Sequence, residues 1–415
     1  MEIYGMLAII LAVTFVVGYV NDRYFKLPQV IGLMFVCAVF SIAVTIANAF
    51  TQNSALASVK QFVASIDFNE ALMVGMLGFL LFAGALHIKL EDLNEKKAEV
   101  SLFALLSTIV SILLVGHAVY WLLPLFGIEF SWGYCMLFGA LISPTDPIAV
   151  ISILKQVGAS KSLETKIAGE SLFNDGIGVV LFLGFWGTAV GGESFAIEHL
   201  GILFFTEVVG GAVTGFVLGY ATYWLLKRIN NFQLEIIGTV ALVMCLYALA
   251  NNLHMSGPIA AVVAGLLIGN QGRAFAMSEN TRKRLDEFWE LIDEILNAVL
   301  FVLVGLVLLT IDFTWTYLLI AIALLPIILG ARLVSIAIPV GILRLFKRTF
   351  SQGVLKIMTW GGLRGGISLA LVLSIPSGPE KSLFLFVTYF VVGFSIIVQG
   401  LTMKPLIQKY TTKEE

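Results

Sequence analysis

The sequence alternates long apolar segments with short polar connections over its whole length. A helix that spans a bilayer needs about 20 mostly apolar residues, and thirteen such segments can be counted. Only 13% of the 415 residues are charged, against about 25% in soluble proteins. We therefore predict an all-α, polytopic membrane protein. The predicted spans are residues 3–20, 29–48, 70–88, 98–124, 132–153, 164–190, 199–226, 233–250, 256–270, 290–310, 314–343, 353–376 and 381–403.

The lysines and arginines provide a test of this segment count. Alternate connecting stretches hold 21 and 2 of the 25 basic residues, and basic residues concentrate on the cytoplasmic side of membrane proteins. The pattern predicts that the N-terminus lies outside and the C-terminus in the cytoplasm. Lys166, Lys356 and Lys381, which lie at the ends of predicted spans, are counted with the adjacent connections, and the two remaining basic residues, Arg332 and Arg364, are expected inside the membrane.

Segment six contains the polar run GESLFNDG at residues 169–176. On a helix, Glu170, Ser171, Asn174 and Asp175 share one face. A charge near the bilayer centre costs at least about 2.5–3.5 kcal/mol. Two acids on one membrane-spanning stripe therefore indicate a functional site.

Two other segments contain helix breakers at mid-membrane depth. Segment five contains SPTDP at residues 143–147, and segment twelve contains GGLRGG at residues 361–366. Proline removes a backbone donor and glycine loosens a helix, so we predict that both segments unwind there. Interrupted helices at matching positions in two halves of a chain indicate the binding site of a transporter built from inverted repeats.

This symmetry predicts the domain organisation. The predicted units are a first inverted repeat of six helices (residues 1–190), a linking helix seven (191–230), a second six-helix repeat (231–404) and a short cytoplasmic tail (405–415), with an ion-binding core from helices around 70–190 and 290–376. In segment seven, Gly211, Gly215 and Gly219 stand four residues apart. This spacing lets helices approach closely, and it fits either a homodimer contact or packing within the subunit.

Asp146 precedes Pro147 in the first break, as an N-cap precedes a proline at the first helical position. Its carboxylate is then expected at the positive end of the second half-helix. Arg364, in the opposite break, is expected to offset exposed carbonyl ends. Both residues have a structural alternative, in which they neutralise the dipoles of the broken helices and bind nothing.

Glu170 and Arg332 are expected to form a buried ion pair, because each is hard to accommodate alone in lipid. Asp175 is then left without an obvious permanent cation. One carboxylate can hold either a proton or a hard cation, but not both. That competition is in itself a mechanism of exchange.

The remaining ligands follow from the preference of hard cations for oxygen. Ser171 offers a hydroxyl, the unwound Thr145 a backbone carbonyl and Asp146 a second carboxylate, which acts directly or through water. Asn174 offers a neutral amide, which cannot carry a titrating proton.

Three further acids keep two interpretations each. Asp293 and Glu294, at the predicted start of segment ten, either line an access funnel for cations or are solvated charges at a helix end. Glu207 in segment seven either faces the ion path or lies near the membrane interface.

The three cysteines and four histidines show no metal-ligand spacing, and we predict no cofactor. The sequence lacks a phosphate-binding GxxxxGK[ST] motif and a basic stripe with interleaved aromatics, so neither a nucleotide-driven pump nor a nucleic-acid partner is expected.

At these motifs the sequence resembles the NhaP-type sodium/proton antiporters of the monovalent cation:proton antiporter family. The resemblance rests on residues 143–147, 169–176, 330–332 (GAR) and 361–366, and it covers essentially the whole chain. It implies the NhaA/NhaP-like fold, with thirteen helices in two inverted repeats, a dimerisation domain and a mobile core that works by alternating access.

The resemblance also implies the roles of single residues. It implies an ion site of Asp146, Thr145, Ser171, Asn174 and Asp175, together with a buried Glu170–Arg332 pair. Within the family an Asn-Asp pair, here Asn174-Asp175, marks the electroneutral one-for-one branch.

We therefore expect a homodimeric transporter, not an enzyme, that exchanges Na⁺ or Li⁺ for H⁺ across a bacterial or archaeal inner membrane and serves pH homeostasis. A K⁺/H⁺ or broad-specificity cation antiporter with the same site is the nearest alternative. An intramembrane aspartyl protease with Asp146 and Asp175 as its dyad belongs to a different class, and a passive channel is a third. The two intramembrane arginines and the prolines beside Asp146 argue against the protease.

Overall fold

A computed structural model describes residues 3–51, 59–63, 66, 68, 70–192, 194–348, 350 and 353–411. These residues are helical apart from their connections and one isolated antiparallel bridge between Asp146 and Leu363. The α-helices are α1 (Ile3–Val20), α2 (Gln29–Thr51), α3 (Leu77–Leu86), α4 (Leu90–Glu95), α5 (Lys97–Ser101), α6 (Thr108–Leu122), α7 (Trp132–Ile142), α8 (Ile148–Gln156), α9 (Lys161–Ala189), α10 (Ile197–Leu226), α11 (Phe232–Asn252), α12 (Gly257–Leu267), α13 (Glu279–Val307), α14 (Trp315–Leu345), α15 (Val354–Trp360), α16 (Gly366–Ser374), α17 (Pro379–Phe394) and α18 (Gly400–Thr411). Short π-helical turns extend or join several of them, at Asn21–Phe25, Glu70–Met76, Leu102–Ser107, Ile268–Gly272 and Ser395–Gln399.

Nine continuous helices in the described part of the chain are long and apolar enough to cross a membrane. The other four predicted spans are also helical, but they are short or interrupted: Glu70–Leu86, α7 with α8, α12, and α15 with α16. The prediction of an all-α, multi-pass membrane protein is confirmed. The count of thirteen crossings and the division into inverted repeats stay predictions.

The two breaker motifs interrupt their helices. The first helix stops at Ile142 and resumes at Ile148, and the second stops at Trp360 and resumes at Gly366. Prolines in the first break and glycines in the second account for this, because neither residue type supports a continuous helix. Each break leaves backbone groups free at mid-helix depth, and these groups form much of the site described below.

Helix α9 lies inside the bundle, whereas α1 and α10 lie at its edge. Most of α9 is buried, while large apolar side chains of α1 and α10 are exposed, including Phe15, Phe205 and Phe216. A helix that is apolar all round and exposed on one side suits a lipid boundary. The polar face of α9 is thus held away from lipid by the surrounding helices.

The glycines of α10 pack within the subunit. An added Cβ at Gly215 would lie 2.9 Å from Cα of Ala260 in α12, and one at Gly219 would lie 3.3 Å from Cα of Ala264. The four-residue spacing therefore lets α10 approach α12. Of the two interpretations of this spacing, packing within the subunit is the one that the structure shows, and the homodimer stays a prediction.

Candidate cation-binding site

The two broken helices meet at their unwound segments. The backbone N–H of Asp146 donates to the carbonyl oxygen of Leu363 at 2.8 Å, and the two segments run antiparallel. The guanidinium of Arg364 donates to the carbonyl oxygens of Ser143 and Pro144, the latter at 3.2 Å. The positively charged guanidinium of Arg364 thus faces the C-terminal end of α7, and the negative end of the α7 dipole stabilises it.

Asp146 lies one residue before Pro147, which is the N-cap of α8, so the N-cap position predicted for Asp146 is shifted by one residue. Its Oδ1 accepts a hydrogen bond from the backbone N–H of Ile148 at 2.9 Å, so the carboxylate lies at the positive end of α8. Gly365 of the opposite break passes close by, since an added Cβ there would lie 2.7 Å from Oδ2 of Asp146. Only glycine fits at this position without moving the carboxylate.

The polar face of α9 contacts the same break through its side chains. Nδ2 of Asn174 donates to Oγ1 of Thr145 at 2.8 Å and to Oε1 of Glu170 at 3.0 Å, while its Oδ1 accepts from the Thr145 N–H at 3.4 Å. The hydroxyl of Ser171 donates to the carbonyl oxygen of Thr145. Thr145, Ser171 and Asn174 therefore form one buried, hydrogen-bonded group.

Glu170 and Arg332 form a bidentate ion pair. The two terminal nitrogens of Arg332 lie 2.7 and 2.9 Å from the two carboxylate oxygens of Glu170, and both side chains are at most 4% exposed. Arg332 also donates to the carbonyl oxygen of Met358 in α15, at 3.4 Å. The pair joins α9 to α14 and to the helix that leads into the second break.

Asp175 differs from the other predicted acids. Its side chain is 7% exposed, yet no described residue donates a hydrogen bond or forms an ion pair with its carboxylate. It lies on the wall of a cavity of about 800 Å³ that Asp146 and Ser171 also line. The same wall includes the exposed Lys89 and Lys161, so the cavity reaches the protein surface.

The remaining predicted acids occupy three different settings. Asp293 lines the cavity in the middle of α13, which begins eleven residues before the predicted start of segment ten, so it is not a helix-end charge. Glu294 is exposed and is not on the cavity wall, and Glu207 is half-buried in α10, also away from that wall.

Sequence reasoning missed two features of this region. Asn297 and Ser368 line the cavity with buried side chains; a Ser within an apolar helix gives no signal of its own, whereas the four-residue spacing of Asp293 and Asn297 could have indicated a shared face. Lys166, which the charge count assigned to a cytoplasmic connection, is instead buried in α9, where its Nζ lies 2.8 Å from Oε2 of Glu99. The spacing of Lys166 and Glu170 on one helix face could have indicated that both face inward.

Comparison with known proteins gives consistent results over the whole chain. A family model described as "Sodium/hydrogen exchanger, transmembrane" matches residues 9–409. The Na⁺/H⁺ antiporter NhaP of Pseudomonas aeruginosa is 46% identical over 407 residues, which cover 97% of this chain and 96% of that protein. The Na⁺/H⁺ antiporter NhaH of Halobacillus aidingensis is 36% identical over 369 residues, which cover 86% and 88%.

The solved structure of the sodium proton antiporter MjNhaP1 from Methanocaldococcus jannaschii has the same fold, with a TM-score of 0.75 at 18% identity over 98% of both chains. The sequence-based assignment to this group is confirmed, and the protease hypothesis is wrong. The chain belongs to the sodium/hydrogen exchanger family and is a membrane-spanning secondary transporter, not an enzyme.

Proposed function

We propose that this protein exchanges Na⁺ for H⁺, one for one, with Asp175 as the group that holds either ion. The observation that supports this most strongly is the buried Asp175 carboxylate, which has no partner among the described residues and borders a cavity open to the surface. A carboxylate in such a place needs a proton or a cation to offset its desolvation. Coupling follows because one ion must leave before the other binds.

The neighbours of Asp175 supply the oxygen ligands. Ser171 lies one turn earlier on α9, the carbonyl oxygen of Thr145 lies against its hydroxyl, and Asp146 lines the same cavity. In the proton-loaded state the Ser171 hydroxyl donates to Thr145. When a cation is bound, the same two oxygens turn to it, with Asp146 as a further ligand.

The stoichiometry follows from the partners of the other polar groups. Glu170 stays charged beside Arg332, and Asn174 is neutral and bonded on both sides. Asp146 stays a carboxylate, because its Oδ1 accepts from the Ile148 N–H at the positive end of α8, and Asp175 is then the group of this site that changes its proton content in the cycle. One proton exchanged for one monovalent cation moves no net charge, so the transport is electroneutral.

Alternating access requires the site to face one side at a time. The cavity is lined by Lys89, Lys155 and Lys161, which lie in stretches that the distribution of basic residues assigns to the cytoplasm. We propose that the structure is an inward-open state in an inner membrane, with the N-terminus outside. The core of helices around 70–190 and 290–376 then moves against the rest of a homodimer to expose the site outside.

The test is a transport assay in proteoliposomes that contain a trapped pH dye. Added Na⁺ should drive protons out of vesicles with the wild-type protein, and Asp175→Ala should abolish this. Asp312→Ala is the matched control. It removes a carboxylate that is 88% exposed and does not line the cavity, and this variant should exchange normally. Persistent exchange by Asp175→Ala contradicts the proposal.

Ion choice and charge balance are measured in the same vesicles. Li⁺, Na⁺ and K⁺ are compared at equal concentration, with and without an imposed voltage. A preference for K⁺ would indicate the potassium antiporter alternative. An effect of voltage on the rate contradicts electroneutrality, and cation flux without a proton counter-flux would identify a channel.

A further inference from the structure

We infer that Asp293, Asn297 and Ser368 form a second binding position for the transported monovalent cation, beside the site at Asp146 and Asp175. This inference rests on the proposed function, because it adds a stage to the path of the same ion. The ion site predicted from the sequence includes none of these three residues.

The position begins with two side chains on one face of α13. Asp293 and Asn297 are four residues apart, so they are neighbours on the helix surface. Both line the cavity that contains Asp146 and Asp175. Asp293 is half-buried and forms no ion pair with any described lysine or arginine, which leaves its charge available to a mobile cation.

Two unpartnered oxygens point to a ligand. Oδ1 of Asn297 and Oγ of Ser368 are buried and have no hydrogen-bond partner among the described residues. Their side chains are 4% and 1% exposed, and both residues are on the cavity wall. Buried polar atoms in proteins almost always have a partner, so two of them on the wall of one acidic cavity indicate that an ion, with its water, completes the set.

Close packing brings the start of α16 to α13. The first residues of α16 fit between two neighbours: an added Cβ at Gly366 would lie 2.9 Å from Cγ of Leu300, and one at Gly365 would lie 2.7 Å from Oδ2 of Asp146. Leu300 is one turn beyond Asn297 on α13. Ser368 stands two residues after Gly366 on α16 and lines the same cavity as Asn297.

The donor set matches the chemistry of a hard monovalent cation. It consists of a carboxylate, an amide carbonyl and a hydroxyl, the oxygen types that hard cations take in proteins. Asp293 is one turn before Asn297 on α13, toward the polar start of that helix. The cavity wall that carries these side chains also includes the exposed Lys89 and Lys161, so a cation that enters from the surface is held here, in this proposal, before it reaches Asp175.

The experiment measures Na⁺-dependent exchange in proteoliposomes for Asp293→Asn, Asn297→Ala and Ser368→Ala. A position on the way to Asp175 is expected to change KM for Na⁺ and not the maximal rate. Each variant should raise KM by about fivefold to tenfold, the effect of losing one or two ligand bonds. Asp293→Glu and Ser368→Thr keep the oxygens and should restore KM toward the wild-type value.

Glu294→Gln is the matched control. It removes the same charge one residue away on α13, from an exposed side chain off the cavity wall, and should leave KM unchanged. An equal rise of KM in this control would mean that any negative charge on α13 attracts the cation, whatever its position, and would overturn the inference. Unchanged KM in Asn297→Ala and Ser368→Ala would overturn it too. If Asp293→Asn does not fold, Ser368→Ala, which removes a single oxygen, decides by the same criterion.

Direct binding separates this inference from the proposed function. Purified Asp175→Ala protein should still bind radioactive Na⁺ weakly, and the double variant Asp175→Ala with Asp293→Asn should not. Loss of all binding in Asp175→Ala alone contradicts the second position while leaving the exchange mechanism intact. Exchange that survives Asp175→Ala contradicts the mechanism, whatever the binding result.

Discussion

Arg332 clamps Glu170 through two parallel hydrogen bonds, of 2.7 and 2.9 Å, at a point where neither side chain meets solvent. Glu170 stands five residues before Asp175 on α9. The pair holds the polar face of α9 against α14, and its two charges cancel. We therefore assign the Glu170–Arg332 pair a structural role in the site, and not a role in ion transport.

The first prediction concerns this pair. Arg332→Ala leaves the Glu170 carboxylate buried and uncompensated, which should destabilise the folded protein by about 3–5 kcal/mol. The neutral double variant Glu170→Gln with Arg332→Gln leaves no stranded charge and should be milder. Thermal unfolding in detergent measures both. An Arg332→Ala protein as stable as the wild type contradicts the structural role.

A second prediction concerns Gly365. Alanine there places a Cβ 2.7 Å from both Oδ2 and Cβ of Asp146. Turning the carboxylate relieves the first contact only, so the two breaks must also move apart. Gly365→Ala should therefore lower the apparent affinity for Na⁺ by about tenfold, as expected for one displaced charged ligand, and should also lower the stability of the protein. The backbone φ of −121° at Gly365 is accessible to alanine.

Gly341→Ala is the control for this variant, since an added Cβ at Gly341 meets nothing within 4 Å. Both proteins are compared by Na⁺ titration of exchange in proteoliposomes. Equal affinities in the two variants would show that the position of the Asp146 carboxylate does not matter for the ion.

A third prediction concerns Arg364, which lies 2% exposed between the two breaks. Arg364→Met removes the charged donor to the carbonyl oxygens of Ser143 and Pro144. Loss of charge-assisted hydrogen bonds that leaves buried acceptors unpaired should cost about 2–3 kcal/mol. Arg364→Lys keeps the charge but not the several N–H donors of the guanidinium, and it should recover part of the lost stability. Thermal unfolding in detergent measures both variants. Full stability of Arg364→Met would mean that water satisfies these carbonyl groups without help from a side chain.

The sequence predicted the breaks better than the surroundings of the site. Pro144, Pro147 and the glycines at 361–366 interrupt a helix for local reasons, so their effect is readable from the residues alone. The contacts of Asp146 with Leu363 and of Glu170 with Arg332 join distant parts of the chain. The second contact could still be predicted, because a buried charge needs a partner of opposite charge and few candidates exist inside the predicted spans.

Two errors have a common physical cause. The hydropathy of segment ten begins near residue 290, but the helix begins eleven residues earlier, at Glu279, where the side chain of the N-cap Ser278 accepts from the Thr281 N–H. The polar first turns are helical, and this places Asp293 in mid-helix. Likewise, Lys166 was counted as a loop charge because a lone lysine at the edge of an apolar segment looks solvated; its partner Glu99 belongs to a different helix and cannot be found from spacing.

The last prediction tests that hidden pair. Nζ of Lys166 lies 2.8 Å from Oε2 of Glu99 and 4.8 Å from the centroid of the Phe350 ring, with 7% and 4% of the two charged side chains exposed. Lys166→Met strands Glu99 and should destabilise the protein by about 3–5 kcal/mol, whereas Lys166→Met with Glu99→Leu should recover most of the loss. Lys283→Met is the control, because it breaks only an exposed pair with Glu287, worth about 0.3–0.5 kcal/mol. Chemical unfolding in detergent compares the three variants. Equal effects of Lys166→Met and Lys283→Met would mean that water reaches the Glu99 carboxylate, and that the first turns of α9 are held by apolar packing alone.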